Sequence, residues 1–483
     1  MTRRCVLLAG VLILVAGCLV GCGGGNPATD GDEEWEETTT DGDGVETVDD
    51  QEETPDENTT EAGEDDLSEQ TDDELVDESA DGGDGTEEEA SESACLTSMD
   101  ADRTLTLAPL GTPSQFHPAA AAGHGGVWVV YNGFTPSTKV TGYDVYALHL
   151  HCNGAQRIAP FQVNTTTGVM HVDPDVAVSG DNVLFAWASD NGLGGSNNLS
   201  IYYRMYDRDG QALMDTDARL PLVRGGATLD TNAWMVKATP LPGGKFVLAG
   251  SYGSEEAGRF QVFMQYLAAD GTPDGEIVPV YPEVGQGQVD PAVAADDSGT
   301  VYLAYTRNET QEEVFHTRFA PDSLTPDPDP PQLVVAGKTG AAPSLASYPG
   351  PEKSVVVAWQ RLSGDASTVY VKDAALFNPA ALPLGLGASG MLNHSPAAAV
   401  AVNHGAVMWL QVISGVRNQV YVQGFDKANS RLSLSDEALL LSIGPAAPYV
   451  PDLTLVEGHC YFGVWAQGAS PNFQATGRYI CFP

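Results

Sequence analysis

Basic residues are scarce in this chain. Its 483 residues hold 22 Lys and Arg against 66 Asp and Glu, for a net charge of −44. Residues 26–94 hold 31 of the acids and no Lys or Arg at all. The rest, 95–483, keeps 35 acidic and 20 basic residues and stands near −15. A surface of that sign argues against nucleic-acid binding and against docking on anionic lipid. It suits a neutral glycan, a cation or a basic partner.

Helical periodicity is missing too. No long stretch repeats its apolar residues at a spacing of three to four. Catalytic signatures are absent: no G-x-S-x-G elbow, no H-E-x-x-H and no Gly-rich phosphate loop. Cysteine is sparse, at seven residues, and three of these (Cys5, Cys18 and Cys22) fall in the first 22.

What is present is a phrase that returns seven times between residues 113 and 483. It runs from a Pro through small residues and a Gly-containing turn into a hydrophobic strand that ends in an aromatic. The clearest copies are 174–187 (PDVAVSGDNVLFAW), 291–305 (PAVAADDSGTVYLAY) and 343–359 (PSLASYPGPEKSVVVAW). Weaker copies run over 118–131, 396–409 and 451–465, and a degenerate one over 234–250 has Gly where the aromatic belongs. The closing positions 131, 187, 250, 305, 359, 409 and 465 are spaced by 56, 63, 55, 54, 50 and 56 residues. Such a period marks a propeller or a solenoid.

Each copy contains a third, β-branched and aromatic run, as in 201–206, 260–266, 314–319 and 420–425. Turn chemistry follows at Asn153-Gly154, Asp209-Gly210 and Asp270-Gly271, where glycine supplies positive φ. Four strands per roughly 55 residues is the content of a propeller blade. The last copy ends after three strands, so Thr104-Leu105-Thr106-Leu107 is expected to supply its fourth and close the ring. The expected fold is all-β, a seven-bladed β-propeller over 95–483; an open β-solenoid is the alternative.

Ahead of it, residues 1–22 pair Arg3-Arg4 with an apolar stretch from Val6 to Val20. Leu19-Val20-Gly21-Cys22 resembles a bacterial lipobox, and Val15-Ala16-Gly17-Cys18 also fits. Cys22 is preferred because Gly23-Gly24-Gly25 follows as a spacer. The resemblance implies cleavage of the signal and acylation of the new N-terminal cysteine. The protein would then be a lipoprotein of the bacterial outer membrane, facing periplasm or exterior. An ordinary secretory signal or a lone membrane helix is the alternative. The acidic segment 23–94 buries too little to order itself and reads as a disordered tether. Random-coil scaling gives it a span of roughly 45–50 Å, which charge repulsion extends. It could also take up Ca²⁺ weakly, although Asp41-Gly42-Asp43-Gly44 lacks the EF-hand spacing.

The four remaining cysteines, Cys95, Cys152, Cys460 and Cys481, read as disulfides in an exported chain. Cys460 and Cys481 flank one hairpin and are expected to pair, leaving Cys95 with Cys152; Cys95–Cys481 is the alternative. No cofactor is expected apart from Ca²⁺, and the ring is expected to be a monomer.

In a propeller the loops entering the first strands and those joining second to third strands share one face. Here the entry loops carry His117, His171, Asp173, Asp290, His394 and Asp452, and the companion loops Asp190, Arg307 and Arg361. Imidazoles and carboxylates converging from several blades could hold a metal or polarise a substrate. An Asp or His before Pro is equally a loop cap. On the other face, His124, His404 and His459 recur in the first hairpin of neighbouring blades, and His149-x-His151 shares one side of a strand.

The phrase P-x-V-A-x-D-x-S-G-x-V-Y-x-A-Y, best kept at 291–305, resembles the degenerate repeats of sialidase-like (BNR-type) propellers. That resemblance implies the propeller fold and carries over no catalytic residue. No intact Asp box (S-x-D-x-G-x-x-W) is present, Asp297-Ser298-Gly299 lies in the wrong turn, and Arg157-Ile158-Ala159-Pro160 departs from Arg-Ile-Pro. The expected function is a non-catalytic, lipid-anchored module binding a glycan or protein. A glycoside hydrolase or lyase and a structural surface adhesin are the alternatives.

Overall fold

The computed structural model describes residues 103–482, apart from short stretches such as 108–113, 135–141, 191–198 and 385–390. The signal, the tether and Cys95 lie outside the described residues. The chain forms a seven-bladed β-propeller. Each blade is an antiparallel sheet whose innermost strand comes first in sequence. Those strands are Ser114–Gly123, His171–Ser179, Asn232–Leu241, Gly287–Ala295, Ala341–Ser347, Met391–Val400 and Tyr449–Glu457. Blade 7 is completed from the other end of the ring: Thr104–Thr106 pairs with Asn472–Cys481, with Thr104 opposite Arg478 and Thr106 opposite Thr476. The expected ring closure is therefore present.

The repeated Pro and the repeated aromatic are two halves of one device. Every innermost strand carries a β-bulge, and in each blade two bulge residues face a single residue of the second strand. That single residue is the closing position of the phrase: Tyr131, Trp187, Gly250, Tyr305, Trp359, Trp409 or Trp465. The first bulge residue adopts positive φ in six blades: His117 (48°), Asp173 (50°), Met235 (56°), Asp290 (51°), Ala342 (48°) and Ser395 (52°). Non-glycine residues pay strain for this conformation, and such strain collects where backbone is re-aimed. Five of the six precede a proline. Proline is tolerated because the innermost strand is an edge and its missing N–H breaks no ladder bond.

The residues read as entry loops thus lie inside strands. His117, His171, Asp173, Asp290, His394 and Asp452 all belong to first strands, and Asp190, Arg307 and Arg361 to second strands. A Pro with small neighbours marks a bulge here, although the same pattern also marks a loop.

Blade 3 explains its own irregularity. Gly250 stands opposite Phe263 of the third strand, and a Cβ at Gly250 would sit 2.9 Å from the Phe263 ring and 2.7 Å from Ile201. In blades 1, 4, 5 and 6 the equivalent rings stack, as in Tyr131–Tyr146, Tyr305–Phe315, Trp359–Tyr370 and Trp409–Tyr421. In blade 3 one ring occupies the space of two.

The core is distributed among seven apolar clusters, one at each junction between adjacent blades. Polar staples reinforce the junctions. Gln115 accepts the Ala475 amide at 2.8 Å and Gln288 the Val262 amide at 3.1 Å, each from the preceding blade. Cys460 and Cys481 form the expected disulfide between directly opposed residues. Cys152 is disulfide-bonded as well. The glycines of the three expected turns, Gly154, Gly210 and Gly271, take φ of 80°, 77° and 84°.

Candidate functional site at the ring axis

Side chains at the bulge and at the position just after it converge from five blades. His117 of blade 1 places Nδ1 3.0 Å from Oδ1 of Asp173 in blade 2. Lys237 of blade 3 lies 3.7 Å from Asp175, and the charges of Asp452 and Asp173 also act on it. Asp290 of blade 4 feels Asp173 and Glu312. Water enters this space, since Lys237 keeps 47 % of its side-chain surface and Asp173 31 %.

The protonation states follow from that crowding. Asp175, with Asp452 and Asp173 behind it, holds the Lys237 ammonium above the ordinary lysine range against the opposing effect of burial. Burial pushes Asp290 up to about 6, with Glu312 adding to it and bonds from Thr306 and the Ala342 amide opposing. Burial likewise carries Asp452 to about 6, with Lys237 acting against it. For Asp173 burial acts upward, but the hydrogen bond and charge of His117 prevail and its carboxyl lies below the usual range.

Two of these carboxylates, Asp175 and Asp452, also latch blades together, as does the Ser344 hydroxyl. The residue two beyond the first bulge residue accepts the amide hydrogen three beyond the next blade's first bulge residue. Asp175 does so for Ala238 at 2.7 Å, Ser344 for Ala398 at 3.0 Å and Asp452 for Ala120 at 2.8 Å.

Of the residues singled out in the sequence, His117, Asp173, Asp290 and Asp452 meet at the axis. Lys237, Asp175 and Glu312 join them unforeseen. Lys237 occupies the register position of Asp175, Ser344 and Asp452, so aligning the copies would have exposed it. Its copy is the degenerate one, with Val236 where the other copies have Pro.

His171 does not reach the axis. It is 1 % exposed, and its Nε2 meets the Thr166 carbonyl at 2.8 Å and Asn164 at 3.2 Å. Asn164 in turn accepts the Val145 amide of blade 1 at 2.7 Å, so this imidazole belongs to the staple layer. Burial lowers its pKa. With Asp190, Tyr202 and Asp217 it lines a cleft of about 60 Å³. His394 is half-buried against Ser395, 3.0 Å from its hydroxyl. Arg307 lies over the Phe315 ring at 4.0 Å and 3.5 Å from Glu313, and Arg361 lies over Tyr370 at 5.4 Å. Both arginines cap aromatic pairs.

The hairpin histidines are dispersed. His124 bonds the Gly180 carbonyl of blade 2 and the Trp128 indole, whereas His404 pairs with Asp426 at 2.7 Å. His149 is buried against Trp128 and pushed down to about 4 by burial, while His151 is exposed. Among the described residues no group of three or more His, Cys, Asp or Glu is placed to hold a metal ion.

No protein-family model matches this chain, and no curated protein matches it. Solved structures to which it is similar include a protein of unknown function from Dyadobacter fermentans DSM 18053, at 10% identity over 66% of this chain and 96% of that one, with a TM-score of 0.48. An ulvan lyase, described as a new family of polysaccharide lyase, aligns at 11% identity over 77% of this chain and 95% of that one, with a TM-score of 0.49. Trypanosoma rangeli sialidase aligns at 9% identity over 76% of this chain and 54% of that one, with a TM-score of 0.38, so the match spans about half of the sialidase. At such identities these likenesses assign this chain no substrate.

Proposed function

We propose that the protein is a non-catalytic binding propeller, anchored to a bacterial envelope membrane through a lipidated Cys22 and held away from it by the acidic tether. Its ligand engages the axial end of the ring. One observation carries this reading: ionisable groups from blades 1, 2, 3, 4 and 7 converge in a space that water enters, with Lys237 half exposed among them. Such a site offers fixed acceptors and a donor, which suits the hydroxyls of a glycan or the backbone of a peptide.

The test is an array of glycans and polysaccharides probed with the full chain, with and without Ca²⁺, reading both binding and cleavage products. Binding without products, lost in Lys237→Met and Asp173→Asn, supports the proposal. Turnover of any glycan ends the non-catalytic reading, and binding that survives both substitutions ends the axial assignment. Labelled fatty acid retained by Cys18→Ser and lost from Cys22→Ser would support the anchor, and protease treatment of intact cells would separate surface from periplasm.

A second reading, a glycoside hydrolase or lyase, is favoured by the two carboxyls held near 6, Asp290 and Asp452. A general acid needs a pKa near the working pH. Products on the array that vanish with Asp290→Asn would establish it.

A further inference from the structure

The junction of blades 2 and 3 is where the repeat departs furthest from its period, with 63 residues between closing positions against 50–56 elsewhere. The surplus follows the two-residue strand Ala218–Arg219 and folds into a hairpin, Val223–Arg224 with Ala227–Thr228. An insertion confined to one repeat lies on one face of the ring, often the binding face. This one is tied down. The Glu276 carboxylate accepts the amide hydrogens of Gly225 and Gly226 at 2.6 and 2.7 Å, and Thr231 donates to the Gly253 carbonyl at 3.0 Å. The insertion therefore needs little ordering when a ligand arrives.

Between the insertion and the blades lies a cleft of about 150 Å³. Ile201, Leu220, Leu222 and Leu229 form its apolar wall, and Arg219 and Thr228 its polar side. Ile201, Leu220 and Leu222 are buried in the blade 2–3 core, so the wall is rigid. An open cleft of this size with one apolar wall has room for one benzene-sized group. Arg219 is exposed and makes no ion pair with another described residue. A guanidinium left open on an acidic protein, beside an apolar void, is complementary to a carboxylate, which it grips through two parallel N–H bonds.

We propose that this cleft is a second ligand site that takes a small monocarboxylate with an aromatic or branched aliphatic end. The apolar end fills the void and the carboxylate pairs with Arg219. The site is separate from the axis and stands whether or not the axial reading holds.

The experiment is calorimetric titration of the full chain with three probes: phenylacetate, its uncharged isostere phenylacetamide, and acetate, which lacks the apolar end. The expected result is binding of phenylacetate, weakened about tenfold or more by the amide and by Arg219→Gln. Acetate should bind more weakly still, and Lys237→Met should leave phenylacetate binding unchanged. Arg219 is exposed, so its substitution leaves the fold intact. No binding of phenylacetate, equal binding of all three probes, or an unchanged affinity in Arg219→Gln would overturn the proposal. Loss of phenylacetate binding in Lys237→Met would also overturn it, by moving the acid to the axis.

Discussion

Asp452 in the last blade accepts the backbone N–H of Ala120 in the first at 2.8 Å, across 332 residues of sequence. One carboxylate thus both closes the ring and faces the axial charges. The two roles separate on substitution. Asp452→Asn keeps an acceptor for Ala120, whereas Asp452→Ala leaves that N–H unmet. The alanine variant should be less stable than the asparagine variant by about 1–3 kcal/mol in denaturant titration. Equal stability of the two would show that the latch contributes nothing.

The axial carboxyls give stability a defined pH dependence. Burial raises the Asp290 carboxyl from its ordinary 3.8 to about 6 in the folded state. A carboxyl raised on folding binds more protons in the native state, so its contribution declines as pH rises from about 4 to about 6. Asp290→Asn should therefore be more stable than the parent at pH 7.5, with the gain fading toward pH 4. His149 and His316, lowered by burial to about 4, act in the opposite sense over part of this range. The difference between variant and parent isolates Asp290. A gain that does not change with pH would refute the assignment.

Blade 3 tests the pairing of bulge and aromatic. Gly250→Ala should destabilise the ring by about 1–3 kcal/mol, because its Cβ meets Phe263 and Ile201. In a Phe263→Leu background the same change should be milder, and the cycle should show a coupling of at least about 0.5 kcal/mol. Additive effects would mean that the two positions do not share one space.

The Cys460–Cys481 disulfide spans 21 residues. A loop of that size is worth about 3 kcal/mol in the unfolded chain. Replacing both cysteines by alanine should lower stability by roughly that amount, measured under oxidising conditions. The strand register, held by the remaining pairs from Tyr461–Ile480 to Ala469–Asn472, should persist in hydrogen exchange.

Much of this architecture was legible in the chain because the signals are local. A strand alternates every two residues, a turn needs glycine at one place, and a blade repeats after a fixed length. Seven copies of Pro-to-aromatic, the glycine turns and the homeless strand at 104–107 follow from such rules, and so did the pairing of Cys460 with Cys481. The site was legible only in part. His117, Asp173, Asp290 and Asp452 stood out as polar residues beside the repeat's Pro. His171, two residues from Asp173, stood out equally and is buried. In a strand with a bulge, one residue of register decides which side chain faces the axis and which faces the neighbouring blade. Composition and spacing do not report that register. Lys237 lies in the copy that has Val236 in place of Pro, and the partners that give it meaning, Asp175 and Asp452, come from blades 2 and 7. By itself the sequence determined the repeat, the strands and the sign of the surface, since these depend on neighbours along the chain. Only the closed ring decided which charges meet, because that depends on contacts between residues as far apart as 120 and 452.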